Sequence, residues 1–178
     1  MNLPNKLTML RMCLVPVIVA VLLLGEGRVW DYTAAGVFIF AALTDFFDGS
    51  IARRQHLITD FGKLMDPLAD KLLVCSTMIC LLSLDRIPAW PVILVIAREL
   101  GVSGYRVLAM EKGVVLAASK LGKIKTTLQV LWVIACLLHF DGDAWAVTEQ
   151  VLMWGAVIFT VVSFADYVFS NRDLIKER

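Results

Sequence analysis

Four aspartates, Asp45, Asp48, Asp66 and Asp70, punctuate the stretch DFFDGSIARRQHLITDFGKLMDPLAD at residues 45–70. Residues three or four apart share one face of a helix. Asp45 with Asp48, and Asp66 with Asp70, therefore form two pairs that neighbouring helices could aim into one small volume. Four carboxylates held that close repel one another unless cations neutralise them. The pairs have no His or Cys beside them at ligand spacing, so the donor set is all oxygen and suits a hard cation, Mg2+ or Mn2+. Two divalent ions would offset the four charges. Mg2+ retains water and commonly bridges to substrate phosphates, which implies a phosphorylated substrate. Arg53, one to two helical turns beyond Asp48, adds a guanidinium suited to bidentate phosphate contact. Gly49 and Ala52 keep side-chain bulk away from a ligand. The bland alternative is four separately solvated helix-end carboxylates.

The elements that must position these groups follow from composition. The chain has 178 residues, of which 59% are hydrophobic, whereas soluble domains run at about 45–50%. A chain this short has too much surface to hide that excess, so lipid is the expected solvent. Cys13, Cys75, Cys80 and Cys136 stand singly in apolar runs and read as small hydrophobes. Six spans are expected, at residues 7–25, 30–52, 64–84, 87–110, 121–140 and 145–169. Each reaches the roughly 20 residues needed to cross hydrocarbon only by including charges such as Arg11, Asp45, Asp70 or Arg98. Soluble buried helices are the competing reading. A cleavable signal peptide fits poorly, because no small-residue cleavage site follows the first apolar run.

Loop charge sets the orientation. With the N-terminus in the cytoplasm, the outer loops carry only Arg28 and Arg86 of the 17 Lys and Arg, as the positive-inside rule requires. The expected fold is thus an all-α integral membrane protein with six transmembrane helices and both termini cytoplasmic. Residues 1–178 read as a single membrane domain, multi-pass in the cell membrane, with the aspartates facing the cytoplasm. An ionised aspartate at mid-bilayer costs about 2.5–3.5 kcal/mol on the insertion scale. Four would cost on the order of 10 kcal/mol at that depth, comparable to the net stability of a domain. Such residues are improbable as decoration.

Read together, Asp45-x2-Asp48-Gly49-x2-Ala52-Arg53-x8-Gly62-x3-Asp66-x3-Asp70 resembles the signature of the CDP-alcohol phosphotransferase family, matching at all eight fixed positions. The likeness extends to Pro4-Asn5-x2-Thr8-x2-Arg11, to Arg98-Glu99 and to Gly122-Lys123-x-Lys125-Thr126, and within the family it is strongest to the bacterial branch that makes phosphatidylglycerophosphate. The resemblance implies transfer of the phosphatidyl group from CDP-diacylglycerol to sn-glycerol 3-phosphate, releasing CMP. It implies Asp45, Asp48 and Asp66 as metal ligands and Asp70 as the general base that also touches the second metal. It implies nucleotide contacts from Asn5, Thr8, Gly49, Ala52 and Arg53, and a homodimer.

An acceptor that is itself a phosphate dianion needs cations, and Arg98, Arg106, Lys120, Lys123 and Lys125 are the candidates. The alternatives are an intramembrane ion pair for Arg98, and topology or anionic-lipid contact for the lysines. Helix neighbours do not face each other, which argues against Glu99 as the partner of Arg98. Another acceptor, inositol phosphate or phosphatidylglycerol, would use the same chemistry. A divalent-cation transporter is the reading from a different class, and a structural metal-binding membrane protein is the plainest. Clustering of the carboxylates at one membrane face argues against a through-path. No feature points to nucleic acid.

Overall fold

The computed structural model describes residues 3–55, 60–112, 114 and 119–172, and the side chains among them except those of 3–4, 45–55, 60–64 and 66. These residues form six helices: α1 (Leu3–Leu24), α2 (Arg28–Gln55), α3 (Asp60–Ser83), α4 (Ala89–Glu111), α5 (Lys120–Leu138) and α6 (Asp143–Ser170). There is no strand among the described residues. Each helix coincides with one expected segment, the largest extensions being at the starts of α1 and α3; at the end of α2 and the start of α3 the polar motif continues the helix beyond the apolar run.

Asn5–Leu24, Lys120–Leu138 and Asp143–Ser170 are long and apolar enough to cross a membrane. The other helices carry embedded charges, among them Asp45 and Asp48 in α2, Asp66 and Asp70 in α3, and Arg98 and Glu99 in α4. Apolar side chains on α4 (Ile93, Leu100, Val107) and α6 (Val147, Val151, Ile158, Val161) are well exposed. A water-soluble monomer rarely exposes apolar patches on that scale. Lipid is the solvent that such faces match.

The chain divides into two compact units, one of residues 1–87 and 133–141, the other of residues 88–132 and 142–178. In the first unit α1 packs extensively on both α2 and α3, which touch each other more sparingly. The buried face of α1 runs through Asn5, Thr8, Arg11, Ile18 and Leu22, with intervals of three, four or seven residues that keep to one side of a helix. Ala34, Ala35, Ala41 and Ala69 are buried on α2 and α3. Small side chains there let membrane helices approach closely. The turn between α1 and α2 uses Gly27 at φ +90°, a conformation that costs glycine little.

Pro67 lies inside α3 between Asp66 and Asp70. It cannot donate the helical bond to the Lys63 carbonyl, so the ladder is interrupted in the turn that carries the two carboxylates. Membrane helices tolerate such an interruption where neighbouring groups satisfy the freed carbonyl.

In the second unit, Pro88 precedes α4 in extended conformation (φ −71°, ψ 153°) and Pro91 is buried in its first turn, where proline leaves no needed donor missing. α4 packs on α6. A Cβ at Gly101 would stand 3.3 Å from the Phe164 ring, so the close approach there depends on glycine. Further along the same pair, the Tyr105 and Tyr167 rings meet edge to face at 5.8 Å, and the Tyr105 hydroxyl donates to the Asn171 carbonyl at 2.7 Å. A Cβ built at Gly104 or Gly36 has nothing within 4 Å. Gly101 is the glycine of α4 that closes a helix contact.

Candidate active site

The aspartate pairs lie on continuous helix. Asp45 and Asp48 fall in the last part of α2, and Asp66 and Asp70 in the first part of α3, so the three- and four-residue spacings are helical intervals. The side chains of Asp45, Asp48, Gly49, Ala52, Arg53, Gly62 and Asp66, and the whole of His56, lie outside the described residues. Asp70 is described. It is half-buried, next to the fully buried Ala69 and three residues before Leu73, which is also in the core. On the neighbouring α1, Asn5 and Thr8 are buried at 8% and 0% exposure, and the Arg11 guanidinium is fully enclosed. A polar face of Asn, Thr and Arg in the interior of a membrane helix is costly unless its groups are satisfied, which marks this α1 face as functional or network-bound. Among the described residues no three acidic, His or Cys side chains come together as a metal group; by donor type alone, the helical carboxylates of this unit, with its hydroxyl, amide and guanidinium groups, suit hard divalent cations and a phosphorylated nucleotide.

The basic candidates divide into a buried cluster and exposed groups. Lys125 is 2% exposed and its ammonium donates to Glu99 Oε1. Arg98 Nη1 donates to the same Oε1 at 3.1 Å, and its Nη2 donates to Ser163 Oγ at 3.3 Å. Adjacency on the helix does not prevent the Arg98–Glu99 contact, because both side chains are long enough to meet beyond the backbone. Side-chain reach, not backbone direction, makes Glu99 a partner of Arg98. A Cβ on Gly122 would stand 3.6 Å from Arg98 Nη2, which brings the Gly122–Thr126 motif directly against Arg98. Arg106 is half-buried, with its Nε enclosed and lacking a hydrogen-bond partner. Lys120 and Lys123 are exposed at the opening of α5. The structure thus joins Arg98 and Lys125 through one carboxylate and leaves Lys120 and Lys123 at the surface.

Ser119 holds the start of α5 in place: its Oγ accepts from the Gly122 backbone N–H at 3.1 Å. This is an N-cap bond that satisfies one of the unpaired donors of the first turn. The cap fixes the chain direction just ahead of Lys125.

Several buried polar groups of the second unit had no assigned role in the sequence. Ser163 is fully buried and donates to the Thr160 carbonyl at 3.2 Å while accepting from Arg98. Tyr167 is buried with its hydroxyl unpartnered, and Gln129 Nε2 is likewise enclosed without a partner. The legible signal was the polar spacing Thr160, Ser163, Tyr167 in an otherwise apolar helix.

Arg28 and Arg86, the cations expected outside, are both paired. Arg28 donates to Asp141, and Arg86 Nη2 donates to Asp31 Oδ1 at 2.7 Å. The hydrogen bond and charge of Arg28 hold the Asp141 carboxyl below the usual carboxylate range, and the same contact pushes the Arg28 guanidinium up.

Comparison with known proteins agrees with these features. The family model for CDP-alcohol phosphatidyltransferase matches residues 1–162. The chain is 42% identical over 189 aligned residues to a CDP-diacylglycerol--glycerol-3-phosphate 3-phosphatidyltransferase of Bacillus subtilis, covering 98% of this chain and 97% of the relative. It is 36% identical to the Rickettsia felis protein of the same name, with 93% of each chain covered. A probable phosphatidylglycerophosphate synthase of Mycobacterium tuberculosis is 38% identical over 94% of this chain and 80% of its own length. With the motif on α2 and α3, the polar face of α1 and a family match over most of its length, the chain belongs to the CDP-alcohol phosphatidyltransferase family.

Proposed function

We propose that this protein transfers the phosphatidyl group of CDP-diacylglycerol to the free hydroxyl of sn-glycerol 3-phosphate, giving phosphatidylglycerophosphate and CMP. The observation that carries this reading is the near full-length similarity, at 36–42% identity, to relatives named for that reaction. The buried cation cluster of Arg98 and Lys125 adds a reason to favour a phosphorylated acceptor over a neutral alcohol, since a dianion beside carboxylates needs compensating charge.

Members of this family generally use divalent metal ions. Two ions, Mg2+ or Mn2+, held by Asp45, Asp48, Asp66 and Asp70 would offset charge on the pyrophosphate and on the departing CMP. Asp70 accepts the proton of the attacking hydroxyl as general base. Its half-buried position on α3 keeps it reachable by substrate, unlike the neighbouring Ala69. Asn5, Thr8, Gly49, Ala52 and Arg53 contact the cytidine diphosphate, with Arg53 on a phosphate. Arg98 and Lys125 hold the acceptor phosphate, and Arg106, Lys120 and Lys123 supply charge around it.

The proposed topology is six spans in the cell membrane with both termini and the aspartates on the cytoplasmic side, in a homodimer, with residues 1–178 acting as one functional domain. The pairing of Arg28 and Arg86 with aspartates supports that orientation, because it neutralises the two cations left on the outer side. The decisive measurement is CMP release from CDP-diacylglycerol by purified protein in detergent with Mg2+, across a panel of acceptors. Release that requires glycerol 3-phosphate is expected. Release with inositol phosphate or phosphatidylglycerol instead would reassign the acceptor. No release by folded protein, with divalent-cation uptake into liposomes, would replace the enzyme by a transporter.

A further inference from the structure

The Glu99 carboxylate occupies a place that the proposed reaction does not account for. Its Oε1 accepts from two cations on different helices, Lys125 of α5 and Arg98 of α4, and the three side chains are 12%, 2% and 11% exposed respectively. Removing two positive charges from water side by side is unfavourable for each of them. A single shared acceptor lowers that cost and also sets where each nitrogen can lie. Arg98 is held a second time through Ser163 on α6, while its Nε is buried and has no hydrogen-bond partner. Gly122 presents no side chain against the same guanidinium.

We propose that Glu99 is a positioning residue for acceptor recognition: it fixes Arg98 and Lys125 relative to each other so that together they present a preorganised cation pair to the phosphate of the acceptor. The proposal rests on the assignment of Arg98 and Lys125 to the acceptor phosphate. Glu99 itself does not contact the acceptor, since a carboxylate facing a phosphate dianion would repel it. The carboxylate is turned to the two cations, and the Arg98 guanidinium, whose Nε has no hydrogen-bond partner, meets the ligand with the Lys125 ammonium beside it. Preorganisation of this kind lowers the entropy lost on binding. The same charges on unrestrained side chains would bind more weakly.

The test is steady-state kinetics of the full-length protein in Mg2+-containing detergent, varying each substrate in turn, with thermal unfolding measured in parallel. Glu99→Gln is expected to raise the KM for glycerol 3-phosphate roughly tenfold or more, the scale of a lost charged hydrogen bond. The KM for CDP-diacylglycerol should stay within about twofold, as for a site without shared partners. Combined with Lys125→Gln, it should add little beyond Lys125→Gln alone, because the relative placement of the two cations that Glu99 fixes is already lost with Lys125. Equal rises in the two KM values, or full multiplication of the two effects, would overturn the proposal.

Should Glu99→Gln not fold, Glu99→Asp decides the matter. It keeps the charge but withdraws the oxygen by one methylene, and the expected outcome is a selective, smaller rise in the glycerol 3-phosphate KM; an unchanged value refutes the positioning role. The underlying assignment fails separately: Arg98→Ala and Lys125→Gln would then leave the acceptor KM untouched while CMP release continues. If those two variants raise it and the folded Glu99 variant does not, only the role of Glu99 is lost.

Discussion

Arg98 Nη2 on α4 donates to Ser163 Oγ on α6 at 3.3 Å, and the Ser163 hydroxyl in turn donates a hydrogen bond to the Thr160 carbonyl. The serine is fully buried, so this contact anchors an intramembrane guanidinium to a helix far away in sequence. Ser163→Ala removes the acceptor and leaves the volume almost unchanged. The expected result is a loss of about 1.5–3 kcal/mol in the stability of the folded protein, the net value of a hydrogen bond to a charged group, with a rise in the acceptor KM but not in that of CDP-diacylglycerol. Detergent melting curves and initial-rate kinetics on the same preparation check both parts.

Asp70→Asn keeps the shape of the side chain and removes its basicity. General bases contribute about 10²–10⁴-fold to rate, and kcat for CMP release should fall within that range. CDP-diacylglycerol should still bind, as read by equilibrium binding to the variant in detergent. A variant with wild-type kcat would remove Asp70 from the proton transfer. Chelation with EDTA should abolish turnover of the wild type, and added Mg2+ should restore it.

The Arg28–Asp141 pair predicts a pH dependence. Asp141 has a folded-state pKa below its ordinary value because Arg28 bonds it. Its contribution to stability is therefore fully present above the unfolded value, about 3.9, and is lost as pH falls through the lower folded value. Both groups are exposed, so the effect is small and weakens with salt. The melting temperatures of wild type and Asp141→Asn should differ by a constant small amount from neutral pH to about pH 5 and converge in stronger acid. A difference that grows on acidification would contradict the pairing.

Gly25→Ala tests the turn between α1 and α2. A Cβ there would lie 2.4 Å from the Trp30 ring and 2.6 Å from the Val21 carbonyl oxygen. The ring is partly exposed and could move aside, but the backbone oxygen cannot do so without distorting the end of α1. The expected cost is about 1–3 kcal/mol, as for other overpacked sites, seen as a lower melting temperature with unchanged KM values.

Much of this protein is legible in one dimension. The aspartate spacing, Gly49, Ala52 and Arg53 identify the chemistry because helical intervals of three and four make sequence distance a proxy for direction. The six helices follow from apolar runs interrupted at Gly25, at the polar run from Arg53 to His56, and at Asp85, Gly113 and Asp141, because in lipid a continuous apolar segment has few alternatives to a helix. Positions 5, 8 and 11 on α1 were marked by the resemblance to the family, and the structure buries all three.

What the sequence could not supply was the pairing of groups on different helices. Glu99 looked unable to reach Arg98, because helix geometry concerns backbones and not the ends of long side chains. Lys125 could have been a topology-setting lysine like Lys120 and Lys123 until tertiary packing enclosed it and left the other two exposed. Ser163 was one serine in an apolar helix until α6 packed on α4. By itself the spacing from Asp45 to Asp70 determined two carboxylate pairs suited to hard cations and a phosphorylated substrate, and its resemblance to a family signature pointed to the kind of reaction. The selection of Arg98, Glu99, Lys125 and Ser163 as one charge network was decided only by the fold, because the energy of a buried charge depends on neighbours that arrive from elsewhere in the chain.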